Sequence, residues 1–208
     1  EQAVIYIAAA LGIAFSVGLF ILLPALVFGL LQKVIPSFFV RNLIEGGVRI
    51  LLFFLYLCLV SRQSDMKRVF SYHGAEHKTI YCYEMGLPLT VENVRVQPRH
   101  HPRCGTSFLF VVMIVSILVF SIFTSLFNIK GKLLKVVVKL LLLPVVVAIT
   151  YEFNRWVGRH DNKLTRALSW PGMMMQKFTT NEPDESMMEV AIRSLELVLP
   201  SEQGKDEW

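Results

Sequence analysis

AVIYIAAALGIAFSVGLFILLPALVFGLL, running from Ala3 to Leu31, contains no charged side chain. It exceeds the ~20 apolar residues that an α-helix needs to cross a hydrocarbon core. A secretory leader would instead have a basic start, a shorter apolar centre and a small-residue cleavage site. This run follows acidic Glu1 and is too long, so it reads as a span, with Pro24 expected to kink it. The chain begins without Met, and it reads as a piece with upstream sequence removed.

Three more spans follow from the same criterion. The second is Leu43–Ser61. Its apolar part, Ile50–Val60, is short, and Glu45 and Arg49 near its start are spaced i,i+4 to pair on one helix face. A neutralising pair and a polar element facing a bundle cavity both fit them. The third, Ser107–Phe127, is uncharged and rich in Val, Ile and Phe. The fourth, Leu133–Tyr151, carries Lys135 and Lys139 in its first turns, where long stems snorkel to headgroups. The linkers Gln32–Asn42 and Asn128–Lys132 are short enough to make two helical hairpins. The expected fold is therefore an all-α, polytopic membrane protein. Its segments are a first transmembrane hairpin (1–61), a loop (62–106), a second hairpin (107–151), and an interfacial segment with a C-terminal helix (152–208).

Composition agrees. Of the 208 residues, 54% are hydrophobic, above the usual share for a soluble domain. The net charge of +5 arises largely from Lys and Arg near membrane ends, and no basic helix or stacking motif points to nucleic acid. The loop holds Arg62, Lys67, Arg68, Lys78, Arg95, Arg99 and Arg103. The tail holds a further set, against Lys33, Arg41, Lys130 and Lys132 on the other side. By the positive-inside rule, loop, tail and both termini face the cytoplasm of a bacterial inner (plasma) membrane. The bilayer is the expected partner, and a homo-oligomer is a further one. Three irregularly spaced cysteines argue against a disulfide framework and for thiols in a reducing compartment.

The tail has two parts. Arg155–Thr180 mixes Trp156, Trp170, Met173–Met175 and Phe178 with basic residues, as an interfacial segment does. His160 there reads as interfacial, and the Met run as apolar filling. A helix from about Pro183 to Leu199 follows. Thr180 or Asn181 is its expected cap, Met187, Met188, Ala191, Leu195 and Val198 its apolar face, and Ser201–Trp208 a frayed end.

The chemistry-bearing residues gather in the loop. Tyr72-His73-Gly74-Ala75-Glu76-His77-Lys78-Thr79 opens it and Arg99-His100-His101-Pro102-Arg103-Cys104-Gly105 closes it. Together they hold four of the chain's five histidines. On a helix, His73 and His77 share one face and can grip one ion. Glu76 borders that face, in the His-x-x-Glu-His order that inverted zinc proteases use with the glutamate as base. His101 and Cys104 add a nitrogen and a sulfur. A thiolate favours zinc or another borderline-soft ion over magnesium or calcium. In a closed arrangement His73, His77, His101 and Cys104 form a saturated structural site, with Glu76 behind them. In an open one, three of them bind, water takes the fourth place and Glu76 is the catalytic base. Arg99, Arg103 or Lys78 would then hold an anionic group. Ordinary polar contacts and buried packing cysteines are the plain alternative, and two clusters in one loop weigh against it.

Those two stretches, with Tyr83-Glu84, Leu89-Thr90-Val91-Glu92-Asn93, Leu143-Pro144, Tyr151-Glu152, Pro171-Gly172, Gln176, Thr179-Thr180 and Glu182-Pro183-Asp184, resemble the YqhQ-like family of bacterial membrane proteins. The resemblance covers nearly the whole chain. It implies a membrane protein that is a metal-dependent enzyme, supplies no substrate, and implies a further cytoplasmic segment ahead of the first span. Cys82, Glu84 and Glu152 complete the set of candidate site residues. Two functions are expected from all this. One is metal-assisted hydrolysis at the membrane surface, with Glu76 catalytic, His73, His77, His101 and Cys104 on the metal, and Lys78 and Arg103 on substrate. The other is a non-enzymatic homo-oligomeric channel or scaffold whose metal is a structural clip or gate, with Glu45, Arg49 and Lys139 lining a shared path.

Overall fold

The computed structural model describes residues 2–31, 34–127, 129, 131–160 and 162–200. Lys33, Lys130 and the 201–208 end, used above for topology and fraying, lie outside the described residues. The described chain is helical: α1 (Gln2–Val17), a π turn (Gly18–Leu22), α2 (Leu23–Leu31), α3 (Phe38–Val60), α4 (Ser64–Glu84), α5 (Val91–Arg95), α6 (Gly105–Leu126), α7 (Lys132–Arg159), α8 (Lys163–Thr179) and α9 (Glu185–Glu196). Among the described residues, four stretches are long and apolar enough to cross a membrane: Ala3–Leu31, Phe39–Val60, Gly105–Leu126 and Val136–Arg159. The chain forms two compact units.

The first unit comprises Glu1–Tyr56 and Phe110–Phe153. Its apolar side chains point outward: Val4, Leu11, Leu26, Leu51, Leu118 and Leu141 are all exposed. Exposed apolar surface on this scale is unfavourable in water and suits hydrocarbon. The expected kink at Pro24 takes the form of the π turn, in which Leu23 N–H donates to Gly18 C=O, five residues back. The widened turn just before Pro24 accommodates a ring that cannot donate and would crowd the preceding carbonyl. α3 begins at Phe38, ahead of the expected Leu43, so Arg41 falls inside the helix together with Glu45 and Arg49. Glu45 and Arg49 form the expected i,i+4 ion pair.

α3 and α6 run antiparallel. Asn42 Nδ2 donates to Thr124 Oγ1 at 3.3 Å, and the Phe54 and Phe110 rings meet edge-on at 5.5 Å. Between these contacts, a Cβ on Gly46 would lie 2.8 Å from Ile117 Cγ1, so only glycine admits this approach. The π turn meets α3 through Phe20 and Tyr56, with ring centroids 5.8 Å apart. The Lys139 ammonium stands 5.9 Å from the Phe120 ring, a cation–π placement joining α7 to α6.

The second unit comprises Leu57–Leu109 and Asn154–Trp208, so the loop and the tail fold together. Most of the expected loop is the 21-residue helix α4. Its apolar period is weak because it is enclosed on several sides. Ala75, His77, Lys78, Thr79 and Cys82 are all buried. α4 ends in a Schellman turn: Gly86 adopts φ 66°, its N–H donates to Tyr83 C=O, and Leu87 N–H donates to Cys82 C=O. Ala75, Cys82, Val94, Met188 and Ile192 make a core shared by α4, α5 and α9. The Asp184 carboxylate caps α9 by accepting Met187 N–H. Thr180 and Asn181, the expected caps, are engaged elsewhere: Thr180 Oγ1 donates to Gln176 C=O, and Asn181 N–H donates to Phe70 C=O of α4. In α8, Met175 and Gln176 are fully buried. A Cβ on Gly172 would meet Ser107 Cβ at 2.8 Å, so this helix packs closely on the start of α6.

Candidate metal centre

Three of the expected ligand residues converge. One ligand atom each of His73, His77 and Cys104 lie within 4.8 Å of one another. α4 supplies both imidazoles from successive turns, with ring centroids 4.3 Å apart. Cys104 sits just ahead of α6, where its sulfur accepts from Thr106 N–H at 3.4 Å and lies 3.1 Å from Thr106 Oγ1. His77 and Cys104 are buried and His73 is half-buried.

The histidines are oriented from behind. His73 Nδ1–H donates to Thr179 C=O at 2.7 Å, and His77 Nδ1–H donates to Arg99 C=O at 2.6 Å. A backbone carbonyl holds each Nδ1 protonated, so Nε2 is the nitrogen turned toward Cys104 and is the one that would bind a metal once any proton shared with the sulfur is lost. His73 Nε2 lies 3.3 Å from Cys104 Sγ. Burial pushes the Cys104 thiol up, but hydrogen bonds from His73, His77 and Thr106 outweigh it and bring the pKa down to about 5. Burial likewise opposes charge on His73, yet the Cys104 sulfur and the Thr179 carbonyl raise its pKa above the ordinary value, with a smaller contribution from Glu76. The group is thus a thiolate facing two imidazole nitrogens. That donor set fits zinc or a similar ion, which would take the place of the shared proton.

His101 stands outside this triad. Its Nδ1 accepts Arg103 N–H at 3.2 Å, so Nε2 carries the proton and donates to Glu84, also at 3.2 Å. Both ring nitrogens are therefore engaged. Burial lowers the His101 pKa, against the pull of Glu84. Gln176 grips its backbone from both sides: His101 N–H donates to Oε1 at 2.8 Å, and Nε2 donates to His101 C=O at 2.7 Å. The His101 ring stands 5.9 Å from that of His77 and 4.4 Å from that of Tyr81.

The other candidates separate as follows. Glu76 is exposed on α4 beside the triad. Lys78 is buried, donates to Arg95 C=O at 2.9 Å and pairs with Glu182, so it ties α4 to α5 and to the segment before α9. Arg103 pairs with Glu84 at 2.7 Å. Cys82 is core: burial raises its pKa, and its thiol faces Pro88 C=O at 3.4 Å. Glu152 is exposed on α7, in the first unit. Thr179 and Gln176 were not assigned roles from sequence, and Arg99, expected to hold an anionic group, instead orients His77 through its main-chain carbonyl, which any residue supplies.

Residues 1–201 match the family described as "Protein of unknown function (DUF1385)". The uncharacterized protein YqhQ of Bacillus subtilis (strain 168) is 36% identical over 190 residues, which cover 91% of this chain and 58% of that protein. The chain thus spans less than two thirds of the length of this curated relative. No solved structure matches. The chain belongs to this family of unknown function, and the YqhQ-like resemblance holds.

Proposed function

We propose that this family member is an integral membrane metalloprotein that binds one zinc-type ion through His73, His77 and Cys104 and catalyses metal-assisted hydrolysis at the membrane surface. The single observation that carries this reading is the convergence of three ligand atoms within 4.8 Å, with both imidazoles oriented through Nδ1 by backbone carbonyls. Three protein ligands are the usual number at a catalytic zinc, whereas structural sites have four. The engagement of both His101 nitrogens favours the open arrangement over the closed one. A bound ion would supply Lewis acidity. Glu76, exposed beside the triad and close enough for its charge to act on His73, is the proposed base that takes the proton from water. Arg103, paired with Glu84, is the proposed contact for an anionic group on substrate, while the contacts of Lys78 favour a structural role.

The four apolar helices support a multi-pass membrane protein. Loop and tail fold as one unit, in keeping with the charge bias that puts both, with the termini, in the cytoplasm of a bacterial inner membrane. The test is metal analysis of the detergent-solubilised protein beside a His73→Ala/His77→Ala variant. One equivalent of zinc in the wild type and none in the variant is expected. Zinc bound equally by both removes the site. Glu76→Gln should then retain the ion and lose any hydrolytic turnover. Retained turnover removes Glu76 as base.

The ion pair of Glu45 and Arg49 within α3 favours one second reading, a homo-oligomeric channel or scaffold with charged residues on a shared axis. Light scattering separates the two: a closed ring supports the channel, and a monomer supports the enzyme.

A further inference from the structure

α8 turns its small and polar side inward. Thr165, Gly172, Gln176 and Thr179 are buried, and of the large apolar side chains of this helix only Met175 joins them. The outward side is apolar. Steps of three and four residues align Leu164, Ala167, Pro171, Met174 and Phe178, and Trp170 flanks that strip between Ala167 and Met174. Leu164 is 59% exposed, Trp170 61% and Phe178 39%. A lone exposed leucine needs no explanation, but an apolar strip running the length of a helix marks an interaction surface.

Two features tie this strip to the ends of membrane-length helices. α8 starts four residues after Arg159, where the stretch Val136–Arg159 ends. At its middle, Gly172 packs on Ser107, whose hydroxyl accepts from Gln176 Nε2 at 2.7 Å. Ser107 lies two residues into the stretch Gly105–Leu126. Both anchors belong to the second unit, as α8 does. The strip thus sits at the level where two spans would leave the hydrocarbon. A lipid interface there supplies acyl chains for the strip and headgroups for Lys163 and Lys177, both exposed on the same helix. From Lys163 to Thr180 there is no Asp or Glu, so no charge on α8 repels an acidic leaflet. Pairing with α8 of a second copy would instead bring these cations together, which like-charge repulsion opposes.

We propose that α8 lies in the bilayer interface, with Leu164, Ala167, Met174 and Phe178 against acyl chains and Trp170 at the headgroup boundary. The proposal rests on the membrane reading above and is independent of the metal. It narrows the interfacial segment expected from sequence to one side of one helix. The opposite side of that helix carries Gln176, which grips His101, and Thr179, whose carbonyl orients His73. A helix seated in lipid would therefore hold the candidate metal centre against the membrane surface.

The test uses the full chain carrying Trp156→Phe/Trp208→Phe, which leaves Trp170 as the sole tryptophan. The protein is reconstituted in vesicles of phosphatidylcholine and phosphatidylglycerol. Phosphatidylcholine brominated high on its acyl chains should quench Trp170, and acrylamide should quench it about threefold less than it quenches free tryptophan. Subtracting Trp170→Phe from the wild type gives the same reading without the two other replacements. Leu164→Glu/Phe178→Glu should reverse the order of the two quenchers while the helical signal in circular dichroism stays unchanged. Bromolipid quenching that survives those two replacements overturns the role of the strip. Strong acrylamide quenching with no effect of bromolipid puts α8 in water and overturns the proposal. Shielding from both quenchers means that protein covers the strip, a second copy included, and overturns it as well. Release of the wild-type chain from cell membranes by alkaline carbonate is a separate result, and would sink the membrane reading itself. A chain that stays in the membrane while Trp170 meets acrylamide loses this proposal alone.

Discussion

Replacing Gly74 with alanine sets two physical effects against each other. Intrinsic propensity favours alanine by roughly 0.8–1.0 kcal/mol at an interior helix position. Yet a Cβ there would approach the Asn181 carbonyl oxygen to well under 3.0 Å, a distance Cβ atoms essentially never show. The obstructing atom is backbone, so no rotamer change relieves it. The segment after α8 must retreat, stretching Asn181 N–H to Phe70 C=O (2.8 Å) and Asn181 Nδ2 to Lys67 C=O (3.1 Å). Overpacking of this kind costs about 1–3 kcal/mol, and each weakened hydrogen bond roughly 0.5–1.5 kcal/mol. After the propensity gain, a net loss of roughly 1–5 kcal/mol remains, centred near 3 kcal/mol. Thr179, two residues before Asn181, would also shift from His73 Nδ1, and loss of such an orienting partner weakens metal binding roughly tenfold or more. Thermal unfolding followed by circular dichroism, and zinc competition against a chromophoric chelator, measure the two effects. A Gly74→Ala protein that melts at or above the wild-type temperature and binds zinc equally well would refute both the steric account and the orienting role of Thr179.

Further outcomes follow from other contacts. Gln176→Leu should cost about 3 kcal/mol or more in chemical denaturation, because it strands the His101 N–H and C=O and the Ser107 hydroxyl, all bonded to a fully buried amide; a loss below about 1 kcal/mol would show that water replaces the amide. Cys104→Ser should remove the sulfur scatterer from the zinc X-ray absorption spectrum of the loaded protein, and an unchanged sulfur shell would take Cys104 off the metal. Asp184 has a carboxyl pKa held below the ordinary value by hydrogen bonds from the Ser186 hydroxyl and Met187 N–H. A depressed pKa makes the cap present above the unfolded-state value and lost as pH falls through the folded one. Protection of α9 amides, relative to their intrinsic exchange rate, should therefore fall on acidification below the ordinary aspartate range, and Asp184→Ala should show that reduced protection already at neutral pH.

The membrane-length helices were legible because an uncharged run of this length has few alternatives, and the stretch quoted first survives residue for residue from Ala3 to Leu31. The start of α3 was obscured by Arg41, whose charge argues locally against a span, whereas Glu45 and Arg49 lay inside the expected span and neutralise each other. α4 was hidden for the opposite reason. Lys78, Thr79 and His77 are polar and buried, so no amphipathic stripe separates an inside from an outside. The i,i+4 spacing of His73 and His77 made the His/Cys cluster legible, since helical geometry alone brings the two together. Which downstream residue would join them was not legible. His101 and Cys104 are three residues apart and chemically plausible alike, and the difference lies in a two-residue turn that engages His101 Nδ1 with Arg103 N–H. Lys78 followed the same pattern: its partner Glu182 is far away along the chain.

The hydrogen bond from His73 to Thr179 joins residues separated by 106 positions. A ribosome that has just finished α4 has made both histidines but neither the sulfur of Cys104 nor the carbonyl that aims the first ring. The pair of imidazoles emerges long before the groups that complete the cluster, and the last of those groups arrives only after every apolar segment has been synthesised. If the proposed ion binds, its capture in the final geometry would be a late event in biogenesis, timed by the order of translation.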